Sequence, residues 1–321
     1  AGRKDENAYN DFGDPYGMGS GVSNNTDTVD SQLADAKEAG NQVVRWFVVG
    51  DDRLSGGRPT EQFYKDLDEA LRLAEKNGIR LILTFDTLNI GNSGLDQWLT
   101  TQKFLENFVQ PVMERYGDNP NIFAWDINEI DGTSLALSQQ QAFSREFIRY
   151  AHAYTQHYVS VGVQKISNAS NFSVDALNLS DNESSRYFYQ VHLYDNDYSE
   201  EGLITLASDI PRDRPIIVGE YQMGGDYGSA TEYINKILNN GFAGALGWSM
   251  TSAFGPTGPI TEFSEASAEL ADWADQNSDI VDMEATATEE SRQEPEDIPI
   301  SPPAESAAIE KPVFWQEARV F

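Results

Sequence analysis

The feature that most constrains this chain is an alternation of two kinds of segment. Short apolar runs occupy Tyr16–Val22, Val43–Val49, Arg80–Phe85, Ile122–Ile127, Val161–Ile166, Tyr187–Leu193, Pro215–Gly219 and Ala245–Met250. Amphipathic stretches separate or follow them at Asp30–Ala39, Thr60–Asn77, Trp98–Tyr116, Ser138–Tyr158, Val174–Leu179, Gly202–Ala207, Ser229–Asn239 and Glu262–Gln276. The second stretch is the clearest. Leu67, Ala70, Leu71 and Ala74 recur at helical spacing, and Asn77-Gly78 stops the pattern before the next run. Strands alternating with helices imply parallel βαβ units. Eight such units fit one closed barrel, a fold of about 250 residues. A doubly wound open sheet is the alternative, but no G-x-G-x-x-G follows the first run. The predicted class is therefore α/β, a (β/α)8 TIM barrel over residues 16–278. A polar lead-in over 1–15 precedes it, and an acidic Pro/Glu-rich linker or tail over 279–321 follows.

Composition narrows the partners. The chain of 321 residues has 22 Lys+Arg against 52 Asp+Glu, a formal charge of -30. Nucleic-acid binding rests on cations that neutralise phosphates, so that partner class is not expected. Anionic lipid is disfavoured for the same reason. No apolar run approaches the length of a membrane span. With no cysteine, disulfides, thiolate metal sites and a Cys nucleophile are excluded. Residues 279–321 hold 11 acids and 3 bases, so the remaining residues still carry -22. With 8 lysines and 14 arginines, this carboxylate-rich surface fits two readings: ordinary acidic solubility, and adaptation to high salt, which screens the self-repulsion. The start at Ala1, without Met or an apolar leader, reads as a processed or trimmed product.

Barrel active sites sit at the C-terminal ends of the strands. The fourth run leads through Asp126-Ile127-Asn128 to Glu129, and the seventh leads to Glu220. The two glutamates are 91 residues apart, three barrel units, which places their strands across the mouth from one another. A pair of converging carboxylates is what glycoside hydrolysis needs: one protonates the leaving oxygen and the other attacks or activates water. Arg45 on the second run is placed to pair with Glu220, and Asn128 to bond a sugar 2-hydroxyl. His192 and Tyr194 share parity on the sixth run, Tyr194 as a donor to Glu220 and His192 as a contact to substrate or carboxylate. Trp248 offers a flat face for a pyranose ring. Asp86 ends the third run and is expected to line the cleft, as is Asp195. Trp46 and Trp125 are assigned to the core. Loop Asp51–Gly57 is read as a groove wall. The N-x-[ST] triplets at Asn24, Asn168, Asn171, Asn178 and Asn182 are read as chance occurrences. His152 and His157 are placed on the fourth helix, so no Ser–His–Asp arrangement is expected. No cofactor is expected and no catalytic metal, since Asp86 and Asp195 lack a partner at recognisable spacing.

These residues carry a family resemblance. Asn128-Glu129 after an apolar strand, Glu220 on a later one, Val43-Val44-Arg45, His192-Leu193-Tyr194 and Trp248 stand in an order and spacing that resembles glycoside hydrolase clan A, most closely its cellulase-like family 5. The resemblance covers about residues 16–276. It implies a retaining mechanism with Glu129 as acid/base and Glu220 as nucleophile. It also implies a secreted enzyme that cuts a polysaccharide internally, a β-glucan or β-mannan; a monomer is expected, and the acidic shell makes a neutral polymer the expected substrate. Two departures are visible: Ile130 stands where the family usually has Pro, and the first strand is poorly marked. The competing readings are a non-catalytic carbohydrate-binding barrel and a surface-structural protein.

Overall fold

The computed structural model describes residues 12, 21–49, 58–86, 102–193, 210–222, 229–248, 254–255, 258–259 and 263–278. Seven strands form one sheet in chain order: β1 (Val43–Val49), β2 (Arg80–Asp86), β3 (Ile122–Asn128), β4 (Tyr158–Val163), β5 (Tyr187–Leu193), β6 (Ile216–Gln222) and β7 (Gly244–Trp248). Every neighbouring pair is parallel. A sheet whose strands follow chain order, each parallel to the last, returns through helices on one face and curls round on itself. The fold is the expected (β/α)8 barrel. The outer layer holds α1 (Thr26–Glu38), α2 (Glu61–Asn77), α3 (residues 102–116), α4 (Leu137–Tyr154), α5 (Ala230–Asn239) and α6 (Phe263–Gln276). Short helical turns fill residues 166–184.

The helix ends follow from local chemistry. Thr60 Oγ1 accepts from the Phe63 amide at the start of α2, and Gly78 closes that helix in the left-handed region at φ 64°. Ser229 and Glu232 form a reciprocal capping box on α5.

Several boundaries differ from the sequence expectation: α1 begins at Thr26 rather than Asp30, and β6 runs on to Gln222 rather than ending at Gly219. The fifth run, expected at Val161–Ile166, is β4 at Tyr158–Val163. The amphipathic pattern had drawn Tyr158 into the preceding helix, but α4 ends at Tyr154 and Thr155 is extended. His157 therefore lies in the link to β4, not on the helix. It stays at the N-terminal end of the barrel, bonded to Trp125 Nε1 and the Asn119 carbonyl. The first run, Tyr16–Val22, falls largely outside the described residues, and Val22 opens a 3-10 turn, Val22–Asn24. Gly202–Ala207 and the tail from 279 also lie outside them.

Strand alternation sorts the side chains into two cores. Leu81, Leu83, Trp125, Val159, Val161, Val191 and Val218 pack outward against the helices. Val43, Ile82, Ala124, Phe188, Ile217 and Leu246, one from each of six strands, plug the barrel interior. Trp125, fully buried, stacks on Phe85 at 6.0 Å and sits in the core as expected, while Trp46 is part-buried against that core and meets Phe12 edge-on at 5.3 Å. Above the apolar plug the inward positions turn polar. Arg45, Thr84, Asp126, Ser160 and Gln190 form one layer, and Asn128, His192 and Glu220 stand above it. Gly219 makes room for Gln190: a Cβ there would lie 2.4 Å from its Oε1 and 2.5 Å from its Cδ.

Candidate active site

Neither glutamate reaches the interior by simple alternation. On β3 the inward positions are Ala124, Asp126 and Asn128, so Glu129 would point to the helices if the strand continued. The strand ends there instead. Glu129 adopts φ 41°, a left-handed conformation that costs a non-glycine residue about 1–2 kcal/mol. Asp131 holds the turn that follows. It accepts from the amides of Gln164 (2.7 Å) and Lys165 (3.1 Å) and from Asn168 Nδ2 (2.9 Å). Ile130, at the position where the resembled family has Pro, is fully buried in a 3-10 turn. Packing and the Asp131 bonds thus shape a loop that a proline ring shapes elsewhere.

On β6, Ile217 faces inward and Val218 outward, which would turn Glu220 outward as well. A bulge prevents this. Val191 pairs with Val218, but the next residue, His192, pairs with Glu220, so Gly219 is the extra residue. The same irregularity appears against β7, where Val218 pairs with Ala245 and Tyr221 with Gly247. Bulges of this kind re-aim a side chain, and here the side chain is that of Glu220.

The result is a tight cluster. Arg45 Nη1 donates to Glu220 Oε1 at 2.5 Å, Nη2 to Asn128 Oδ1 at 2.9 Å and Nε to Asp126 Oδ2 at 2.8 Å. His192 Nδ1 lies 2.8 Å from Glu129 Oε1 and 3.6 Å from Glu220 Oε2. One ligand atom from each of Glu129, His192 and Glu220 falls within 4.8 Å of the others. Gln164 Nε2 approaches Glu129 Oε2 at 3.5 Å. Both glutamates are buried, at 5% and 6% exposure.

Burial pushes the Glu129 carboxyl up from its ordinary range, and the negative charge of Glu220 adds to the rise; His192 and Arg45 pull it back only in part. Burial alone would lower the Arg45 guanidinium, but the charges of Asp126 and Glu220 outweigh it and the net shift is upward. Arg45 is therefore a permanent cation beside Glu220. The three-residue cluster has the spacing of a metal site, but a divalent ion would displace the Arg45 and His192 contacts that already serve both carboxylates. The donor set suits proton chemistry.

A raised Glu129 has a stability consequence. A carboxyl that binds its proton more tightly folded than unfolded costs stability as pH rises above the unfolded value, and costs none below it. Glu129→Gln is thus expected to raise Tm by about 2–4 °C at pH 7.5 and to leave it unchanged at pH 4. Thermal melts at both values check this; an equal shift at each would show that the carboxyl carries no burial penalty.

The structure brings together five of the eight residues singled out in the sequence: Arg45, Asn128, Glu129, His192 and Glu220. His192 is fully buried, with Nδ1 within reach of both carboxylates. Trp248 ends β7, part-exposed, edge-on to Phe47 at 5.9 Å; Phe47 in turn lies under the Arg45 guanidinium at 4.9 Å. Asp86 ends β2 with its backbone paired to Asn128, but its side chain lies outside the described residues. Tyr194, Asp195 and Asp51–Gly57 lie outside them altogether. Asp126, Ser160, Gln190 and Gln164 were missed. The signal was available for the first three, each being polar in the middle of an otherwise apolar strand.

The model of the family "Cellulase (glycosyl hydrolase family 5)" matches residues 8–254. The chain belongs to glycosyl hydrolase family 5. It is a glycoside hydrolase, and its substrate is a carbohydrate. Among solved structures, this family 5 chain resembles endo-glycoceramidase II from Rhodococcus sp. at 16% identity and TM-score 0.57, with 74% of this chain and 73% of that one covered. A family 5 mannosidase from Rhizomucor miehei matches at 13% identity and TM-score 0.55, with 78% and 88% covered. Endoglucanase Cel5A from Thermotoga maritima matches at 15% identity and TM-score 0.54, with 75% and 89% covered. These likenesses are of fold. No curated protein matches the chain.

Proposed function

We propose that the protein is a retaining β-glycosidase that cuts a neutral polysaccharide internally, with Glu220 as nucleophile and Glu129 as acid/base. One observation carries this reading: an oxygen of Glu129 and an oxygen of Glu220 lie within 4.8 Å. Retaining enzymes hold their carboxyl groups about 5–5.5 Å apart, whereas inverting ones need about 6.5–9.5 Å to admit a water between them. The electrostatics support the same division of labour. Glu129 is raised, the direction an acid needs; Glu220 is paired with a cation, which favours its anion.

The first step breaks the bond between the anomeric carbon and the leaving oxygen. The electron pair goes to that oxygen, which takes the proton of Glu129, and a Glu220 oxygen bonds to the anomeric carbon. Glu129, now a carboxylate, takes a proton from water, whose oxygen displaces Glu220 from the sugar in the second step. Asn128 is fixed by Arg45 through Oδ1, which directs its amide donor to the 2-hydroxyl. Trp248 offers the sugar a flat face, and Tyr194 is the expected donor to Glu220. The substrate is a β-glucan or β-mannan; the relatives named for endoglucanase and mannosidase activity support that class. The acidic surface disfavours polyanionic glycans. Secretion, a monomeric state and tolerance of high salt belong to the same proposal.

The test is a polysaccharide panel with product sizing, run at 0.1 M and 2 M NaCl, over β-1,4-glucan, β-mannan, β-1,3-glucan, alginate and pectate. A ladder of oligosaccharides from one neutral polymer, with activity retained at 2 M, is expected. Faster cleavage of alginate or pectate would overturn the neutral-substrate reading, and products from no polymer would favour a binding-only barrel.

A further inference from the structure

Asp126 is the buried acid that the two-glutamate scheme leaves without a task. It lies one layer beneath the glutamates and has no exposed surface. Its Oδ1 accepts from Ser160 Oγ at 2.6 Å and Gln190 Nε2 at 2.7 Å. Its Oδ2 accepts from Arg45 Nε at 2.8 Å and Thr84 Oγ1 at 3.1 Å. With Asp126 itself on β3, the network draws on five consecutive strands, β1 to β5. A buried ion pair seldom stabilises a fold better than apolar packing would, so its presence here asks for another reason.

The geometry of Arg45 supplies one. The guanidinium is planar, with its donors in a fixed fork. Each of its three nitrogens serves a different partner: Nε serves Asp126, Nη1 serves Glu220 and Nη2 serves Asn128. Whatever holds Nε therefore sets where Nη1 and Nη2 point. Asp126, itself held by Thr84, Ser160 and Gln190, is that anchor.

We propose that Asp126 is a positioning residue for hydrolysis: it aims Arg45 at the nucleophile and supplies the counter-charge of Arg45 when the nucleophile is consumed as an ester. The inference rests on Glu220 being the nucleophile. In the resting site of the proposed mechanism, one cation (Arg45) faces two anions (Asp126 and Glu220), and Glu129 is in its acid form. After the first step Glu220 is a neutral ester and Glu129 is the anion. The total is unchanged, one negative charge in excess. Arg45 keeps a bonded anion throughout only because Asp126 is there. Among the described residues, Glu220 faces Arg45, His192 and Glu129. Asp126 faces Arg45 and the neutral Thr84, Ser160 and Gln190, and its charge also reaches the buried Tyr187 hydroxyl, whose ionisation lies far above neutral pH.

The test is Asp126→Asn in the full chain. Turnover is followed from pH 3 to 9 on whichever of 2,4-dinitrophenyl β-cellobioside, β-mannobioside and β-laminaribioside the wild type cleaves fastest. Asparagine keeps the shape and an acceptor for Arg45 but loses the charge. Misaimed groups lose about a hundredfold in rate, so kcat is expected to fall about a hundredfold with KM changed less than about threefold. Removing an anion beside Arg45 favours the ionised nucleophile, so the acidic limb of the profile should move down by about one pH unit. A folded variant with wild-type kcat, or a lowered kcat with an unmoved acidic limb, overturns the inference. If Asp126→Asn does not fold, Ser160→Ala takes its place. It removes one support of Asp126 and should lower kcat about three- to tenfold at constant KM; wild-type kcat overturns the inference. Glu220→Ala separates the two readings. If that variant retains turnover, the nucleophile assignment fails; if it is inactive while Asp126→Asn behaves as wild type, only the role of Asp126 fails.

Discussion

Glu220→Ala is expected to lower turnover by about ten-thousandfold or more while the protein stays folded. The size follows from the proposed role, since among the described residues only Glu129 and Glu220 form the converging carboxylate pair. Glu129 is the nearest, and it is needed as the acid. Folding should survive because the cation it leaves behind is not stranded. Arg45 keeps Asp126 at 2.8 Å and Asn128 at 2.9 Å. This is unlike the usual case, in which removing one half of a buried ion pair leaves the other uncompensated at a cost of about 3–5 kcal/mol. Steady-state rates on an aryl β-glycoside, thermal melts and calorimetric titration with an oligosaccharide product read the three expectations separately. Near-normal activity in a folded variant would mean that Glu220 is not the nucleophile.

Glu129→Gln is expected to act selectively. Losing general acid catalysis costs about 10²–10⁴ in rate where the leaving group needs a proton. A polysaccharide, whose leaving group is a sugar hydroxyl, should show the full loss. A 2,4-dinitrophenyl glycoside expels a stable phenolate while its sugar passes to Glu220, so its first step should be affected little and the loss should move to the second step, which needs Glu129 as base. A burst of dinitrophenol followed by slow turnover is the expected record. Equal losses on both substrates, without a burst, would count against the acid/base role. The same substitution should raise stability at neutral pH, because the glutamine carries no penalty for ionising in a buried site. Activity and stability then move in opposite directions at a single residue, as strained active sites predict.

The barrel was legible because its signal is repeated. Each apolar run is ambiguous alone, but the alternation with helical stretches such as Leu67, Ala70, Leu71 and Ala74 leaves few topologies open. The boundary before β4 was misplaced because the two periods overlap there. Tyr158 continues the helical pattern of the preceding stretch and also begins the inward row Tyr158, Ser160, Gly162. Only the extended Thr155 after α4 decides between them. The polar layer under the site was harder to read. Thr84, Asp126, Ser160 and Gln190 lie on four strands spread over more than a hundred residues, and what unites them is one carboxylate that closure of the sheet brings within reach of all.

The sequence by itself determined the class of fold, the strand on which each key residue sits and the pairing of two acids across the mouth. It did so because strand identity depends on local periodicity, and position round a barrel depends only on strand order. Tertiary structure alone decided that the two acids face each other. By parity, Glu129 and Glu220 both belong on the helix side of their strands. Glu129 comes inward through a left-handed residue held by Asp131 and the burial of Ile130, and Glu220 through a bulge at Gly219. Both devices break the two-residue period, and such breaks are stable only where neighbouring strands supply the compensating contacts. Here those contacts come from Arg45, His192 and the buried layer beneath them, brought together only when the barrel forms.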